Sequence, residues 1–569
     1  MAVNYITALE TVQAVRGKNP FTTLFLKNNF AILPSNLRRA VNDRYIQVFN
    51  QKTQYDADMT LLEIVKKAAG RGGLLASDDS AIILYAKECA KLAYCEASKF
   101  LIPSMQLHYL IQFALSKKVA PPSDKLTPDG QRARLQCEKW WRRALRKAIS
   151  REVERLAIDL GLVCKVKGMY ASDETVKRRQ QQKRRNRDLL KTINAVNDKG
   201  DEYNLAELSD LGVSNPKLRA NELMTRIAGF GAIAKFEGHA GGFFTITCPS
   251  KFHAYAQDGT AYATYQNLSP REGQTHLVKM WGFARAALHK ANVKVYGFRV
   301  AEAHHDGTPH WHMVLYYAPE HTNTVITILR KYAFLVDGSE RGADKNRFDY
   351  KEIDFKRGTG ASYLLKYILK NIYTKELIET EDFEGGKLQK NVNRVEAWAA
   401  CWGIRQFQQI GGAPVGVWRE LRRLGAVTVT DTGILKELQD ACDNKDWALY
   451  TIKQGGATVA RKDLIAKVAR VWFDGLRTLY DGYGGERVQG VESACGAYEK
   501  TRLHTFFLKS AGVLLTSWSS VNNCNQLLKE KGAEAIDFVI NGTKYDKFLA
   551  GKQIFKPKDK GNSYAKFQQ

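Results

Sequence analysis

The stretch VKVYGFRVAEAHHDGTPHWHMVLYY, Val293–Tyr317, is the one whose reading decides the fold. Val293–Ala303 and His310–Tyr317 are dense in β-branched and aromatic residues and read as two strands. Between them lies His304-His305-Asp306-Gly307-Thr308-Pro309, where Asp-Gly is a strong hairpin signal. Residues two apart on a strand share a face, so His310 and His312 point to one side and Trp311 to the other. Whether Glu302 joins the histidines depends on the loop. A three-residue loop of His305, Asp306 and Gly307 places Glu302 on the face of His310. A two-residue Asp306-Gly307 turn places it opposite Trp311 instead. His304, His305 and Asp306 are the alternative ligands.

Working outward, Phe243–Cys248 is a β-rich run stopped by Pro249. Thr275–Lys290 and Thr322–Phe334 read as helices and Phe348–Phe355 as a strand. Ala361–Tyr373 reads as a helix after Gly358 and Gly360. This order predicts an α+β domain, an antiparallel sheet with helices packed on it, over residues 236–425. Residues 1–130 are expected to be a helical region and 131–235 a basic helical region that contacts DNA. Residues 426–569 are expected to be mostly helical with a Lys-rich tail.

Charge narrows the function. The chain of 569 residues carries 86 basic against 59 acidic side chains, a formal net charge of +27. An excess of that size calls for a polyanionic partner, and nucleic acid is preferred because no run of 18 apolar residues and no secretory leader is readable. Two blocks concentrate the charge. One is residues 131–147, which include Arg142 and Arg143 interleaved with Trp140 and Trp141. The other is residues 177–187, with Lys177, Arg178, Arg179, Lys183, Arg184 and Arg185. Each suits a phosphate-contacting surface or a solvated helix face. The nine cysteines include no C-x-x-C pair and read as reduced structural thiols. No GxxxxGK[ST] nucleotide-binding motif occurs.

Two imidazoles and a carboxylate form a mixed N/O donor set that suits a divalent cation. A second motif follows, Tyr363-Leu-Leu-Lys-Tyr367, whose tyrosines stack on one face of a helix with Lys366 at its border. Taken alone, the histidine pair could be structural and the tyrosines two core aromatics. The combination is more specific.

In that combination the chain resembles the HUH endonucleases, in the order used by rolling-circle replication initiators. Over residues 243–424 it is similar to the bacteriophage replication gene A proteins. The matching blocks are FTITCPSKFH (Phe244–His253), DGTPHWH (Asp306–His312), YLLKY (Tyr363–Tyr367) and VWRELRRL (Val417–Leu424). The resemblance implies a ferredoxin/RRM-like domain in which His310, His312 and Glu302 hold Mg²⁺ or Mn²⁺. Tyr363 and Tyr367 would alternate as nucleophiles, with Lys366 beside them. It implies a 5′-phosphotyrosyl adduct and a free 3′-OH primer. The partners would be single-stranded and origin DNA, with a separate host helicase, in the bacterial cytoplasm and away from membranes. Ser250 and Lys251, just past Pro249, are candidate DNA contacts, whereas His253 reads as structural. Trp418, Arg419 and Glu420 read as packing or as backbone contacts. Conjugative relaxases share the chemistry but place the tyrosine before the histidines. A hydrolytic metallonuclease would need no tyrosine.

Overall fold

Strand pairing follows the period-two pattern of the hairpin. A computed structural model of the chain describes residues 6–69, 79–356, 364, 388–425, 429, 433–473, 485–504, 506–510 and 535–538. Five antiparallel strands form the central sheet: β1 (Ala240–Thr247), β2 (Tyr296–Ala303), β3 (Pro309–Tyr317), β4 (Phe348–Glu352) and β5 (Phe407–Ile410), in the order β4-β1-β3-β2-β5. The central strand β3 has Thr245 and Val300 as the two neighbours of His312, and Thr247 and Glu302 as those of His310.

Alternation divides the sheet into two faces. Phe244, Ile246, Ala301, Ala303, Trp311, Met313, Leu315 and Tyr317 belong to one continuous core. The helices Pro270–Lys290 and Thr322–Ala333 feed the same core. Leu277, Met280, Ala284 and Leu288 recur at helical spacing on the first and are buried, as are Val325, Leu329 and Ala333 on the second. Each such large apolar side chain contributes about 1.5–3 kcal/mol by leaving water. The first helix starts earlier than Thr275, because Ser269 and Glu272 form a capping box ahead of it. Trp311 is anchored here by its indole N–H, which donates to Gln274 Oε1 at 3.0 Å, and by the Arg299 guanidinium 4.0 Å from its ring.

The chain forms two compact units, residues 1–181 with 234–410, and 182–233 with 411–569. The first unit contains the central sheet and the N-terminal helices, from Ile6–Arg16 to Glu138–Asp159. The helix Glu138–Asp159 corrects one expectation. Arg142 is buried, on the same stripe as Leu145, Ile149 and Val153, so it cannot offer its guanidinium to a phosphate. Trp141 is buried too, and its indole donates to Leu135 O at 2.7 Å. Arg143 is exposed.

In the second unit, Ile193–Asn197 pairs with Glu202–Asn204 and with Phe506–Ser510, which in turn pairs with Ala535–Phe538. Ala466–Phe473, Gly485–Ser493 and Tyr498–Lys500 form another antiparallel sheet. Where residues 426–569 are described, they depart from the expected helical pattern. Among the described residues only Ile434–Asp443 and Trp447–Lys453 are α-helices there, and strands predominate. Gln489 bulges out of the pairing between Ala466–Phe473 and Gly485–Ser493, opposite the step from Ala469 to Arg470. Trp418 packs against Trp447 and Tyr450 with ring centroids 5.1 and 5.2 Å away. Arg419 pairs with Glu222, and Glu420 with Arg502, each at 2.7 Å. This block is packing.

Candidate metal centre

The β2–β3 loop settles the parity question. The His304 N–H donates to Thr308 O, and the Gly307 N–H to His304 O, both at 2.8 Å, leaving His305, Asp306 and Gly307 as a three-residue loop. Gly307 takes φ +84°, the left-handed position this loop type requires. Glu302 is therefore the direct partner of His310, on the same face.

Surrounding segments grip the loop. Asp306 is fully buried; its carboxylate accepts N–H bonds from Ala254 at 3.1 Å and Thr308 at 3.0 Å. Thr308 Oγ1 donates to Phe252 O at 2.9 Å, and the Trp398 indole donates to Gly307 O at 2.8 Å. Burial alone would raise the Asp306 carboxyl. The adjacent His253, together with His304 and the Thr308 N–H, outweighs it and holds the group well below the usual carboxylate range. Burial pushes His304 down to about 3, against the pull of Asp306.

Three ligand atoms converge on the site face. Glu302 Oε2 lies 3.2 Å from His310 Nε2 and 3.0 Å from His312 Nε2, and the two nitrogens are 2.9 Å apart. Each contact between two lone pairs needs a proton between them, whereas one cation satisfies all three together. A six-coordinate ion with ligands at roughly 2.0–2.1 Å sets neighbouring donor atoms roughly 3 Å apart, so the donor set fits. Glu302 and His312 are buried and His310 is nearly so. Thr245 Oγ1 is 3.1 Å from His312 Nδ1, and the Phe243 ring stacks on His312 at 5.6 Å. Thr245 escaped the sequence reading, although it shares a face with Thr247 in the run that ends at Pro249.

The remaining candidates are distributed unevenly. Ser250 N–H and Oγ both bind the Glu340 carboxylate, the latter at 2.6 Å, and Lys251 pairs with Asp337 at 2.9 Å. Arg178 pairs with Glu174 at 2.7 Å and Arg179 with Glu396 at 3.0 Å. Lys177, Lys183, Arg184 and Arg185 are exposed on the helix Asp173–Lys191. Tyr363, Lys366 and Tyr367 lie outside the described residues, as does the Lys-rich tail. No helix among the described residues is long and apolar enough to cross a membrane.

Comparison with known proteins places the chain among relatives. The family described as bacteriophage replication gene A protein matches residues 80–375. A probable replication protein of Pseudoalteromonas phage PM2 is 42% identical over 400 residues, covering 69% of this chain and 61% of the relative. The replication gene A protein of Escherichia phage 186 is 40% identical over 409 residues, 68% of this chain and 58% of its own length. A probable replication endonuclease from a prophage-like region of Salmonella typhi is 34% identical over 354 residues, 60% of this chain and 44% of its own. The alignments thus span between 44% and 61% of these curated relatives. No solved structure matches the chain. With more than half of its length matched, the chain belongs to the bacteriophage replication gene A protein family.

Proposed function

We propose that this protein is a replication endonuclease that nicks one DNA strand by tyrosine attack and later reseals it. The convergence of Glu302, His310 and His312 on one sheet face carries the reading. The name replication endonuclease, borne by relatives such as that of Salmonella typhi, supports it.

His310 Nε2, His312 Nε2 and Glu302 Oε2 would hold Mg²⁺ or Mn²⁺. Bound there, the ion supplies positive charge to the non-bridging oxygens of the scissile phosphate. Thr245 keeps His312 in the orientation that offers Nε2. A free phenol, with a pKa of about 10, is a weak nucleophile at neutral pH, and Lys366, next to Tyr367 in the sequence, would favour the phenolate. Tyr363 or Tyr367 loses its proton and its oxygen bonds to phosphorus. The bond from phosphorus to the 3′ oxygen breaks, and that oxygen leaves as a 3′-OH after taking up a proton. The 5′ phosphate stays on the tyrosine as a diester, so the bond energy is retained for resealing without ATP. The second tyrosine repeats the attack at the regenerated origin. Arg143, Lys177, Lys183, Arg184 and Arg185 are the basic candidates exposed for phosphate contact. Unwinding is assigned to a separate helicase of the host, and the reaction to the host cytoplasm.

The test uses an oligonucleotide carrying origin sequence, labelled 3′ of the nick, incubated with the full chain and Mn²⁺ or Mg²⁺. Label should migrate with the protein on a denaturing gel, and disappear in Tyr363→Phe/Tyr367→Phe and in His310→Ala/His312→Ala. Cleavage that persists without an adduct in the tyrosine variant would replace this reading with a hydrolytic metallonuclease.

A further inference from the structure

A second set of metal-ligand side chains adjoins the first. Asp306 Oδ2 lies 3.1 Å from His253 Nδ1, and Asp306 Oδ1 lies 3.8 Å from His304 Nδ1. One ligand atom from each of these residues falls within 4.8 Å of the others. The Nδ1 of His304 is shielded from solvent and has no hydrogen-bond partner among the described residues. A shielded nitrogen facing a carboxylate across 3.8 Å is too far for a hydrogen bond. The separation suits two ligands of one ion, since donor atoms at roughly 2.0–2.2 Å from a tetrahedral centre stand roughly 3.4 Å apart. The His304 ring meets the His253 ring at 5.3 Å and the His310 ring at 5.6 Å, both edge to face. His304 and His310 are therefore where the two clusters meet.

We propose that His253, His304 and Asp306 form a second divalent-cation site beside the Glu302–His310–His312 centre. Two imidazoles and a carboxylate select Mn²⁺, Co²⁺ or Zn²⁺ rather than Ca²⁺. Asp306 can serve the ion and keep its bonds from Ala254 and Thr308, because each carboxylate oxygen has two lone pairs. The site also gives a role to His253, the last residue of the FTITCPSKFH block. Its existence does not depend on the nicking chemistry. A share in that chemistry, through a second ion near the scissile phosphate, does rest on the reading above.

The experiment is equilibrium dialysis of the full chain against Mn²⁺, followed by elemental analysis, with circular dichroism as the fold control. The wild-type protein should bind two ions per chain, His253→Ala/His304→Ala one, and His310→Ala/His312→Ala one. If the double variant at 253 and 304 does not fold, His304→Gln, at the less buried residue, replaces it with the same expected drop from two to one. One ion in the wild type, retained by the 253/304 variant and lost from the 310/312 variant, overturns the second site and leaves the first standing. Two ions retained by the 253/304 variant also overturn it. No bound ion in the wild type removes both sites.

Discussion

Thr245 Oγ1 lies 3.1 Å from Nδ1 of His312, reaching across from the neighbouring strand at the position directly opposite. The contact decides which ring nitrogen is left for a ligand. With Nδ1 engaged, the Nε2 lone pair is directed at Glu302 and His310. Partners of this kind set both the tautomer and the angle of a ligating imidazole.

Replacing Thr245 by Val keeps the shape and removes the hydroxyl. Mn²⁺ affinity should fall about 10–100-fold, while Thr245→Ser should stay close to wild type. Calorimetric titration with Mn²⁺ checks this. Unchanged affinity in Thr245→Val would show that the hydroxyl does not position the ring.

Gly307 is the second point of sensitivity. Its φ is +84°, and an added Cβ would stand 3.2 Å from Tyr170 O. Gly307→Ala should cost about 1–2 kcal/mol from the left-handed backbone alone. Because the loop sets the face of Glu302, Mn²⁺ binding should weaken as well. Urea unfolding and metal titration on the same variant separate the two effects.

A third prediction concerns acid. Burial lowers His276 to about 4 from an ordinary 6.5, helped by the nearby Arg347, Lys251 and Lys279 and opposed by Asp337. Between those two values the unfolded chain binds this proton and the folded chain does not. The contribution is thus complete above pH 6.5 and is lost as pH falls toward 4. His276→Gln should flatten the dependence of unfolding free energy on pH by up to about one proton in that window. An unchanged slope in urea titrations across the window would refute the assignment.

The basic helix Asp173–Lys191 should divide by exposure. Lys183, Arg184 and Arg185 are exposed, and changing all three to Gln should lower the slope of log affinity against log salt by about 2 on single-stranded DNA. Arg179 is paired with Glu396, so Arg179→Gln should leave the slope alone and cost about 1 kcal/mol or less of stability. Fluorescence anisotropy over a salt series reads the first effect and urea unfolding the second. Equal slopes for wild type and the triple variant would remove this helix from the DNA surface.

By itself the sequence determined everything that follows from a period of two. His310 and His312 share a face and Trp311 takes the other because pleating leaves no alternative, and so short a connection allows the two strands only an antiparallel pairing. The basic charge was equally legible. Tertiary structure decided what depends on distant segments. Glu302 faces His310 because Phe252, Ala254 and Trp398 hold the loop at three residues. Arg142 was misread because composition counts a charge without saying which side of its helix meets the core. Strands such as Phe506–Ser510 were not legible because their partner, Ile193–Asn197, lies more than 300 residues earlier, where no local pattern announces it. His253, His304 and Asp306 stand together for the same reason as Glu302 and His310. The loop is clamped by chain some 50 residues away, and only folding supplies that contact.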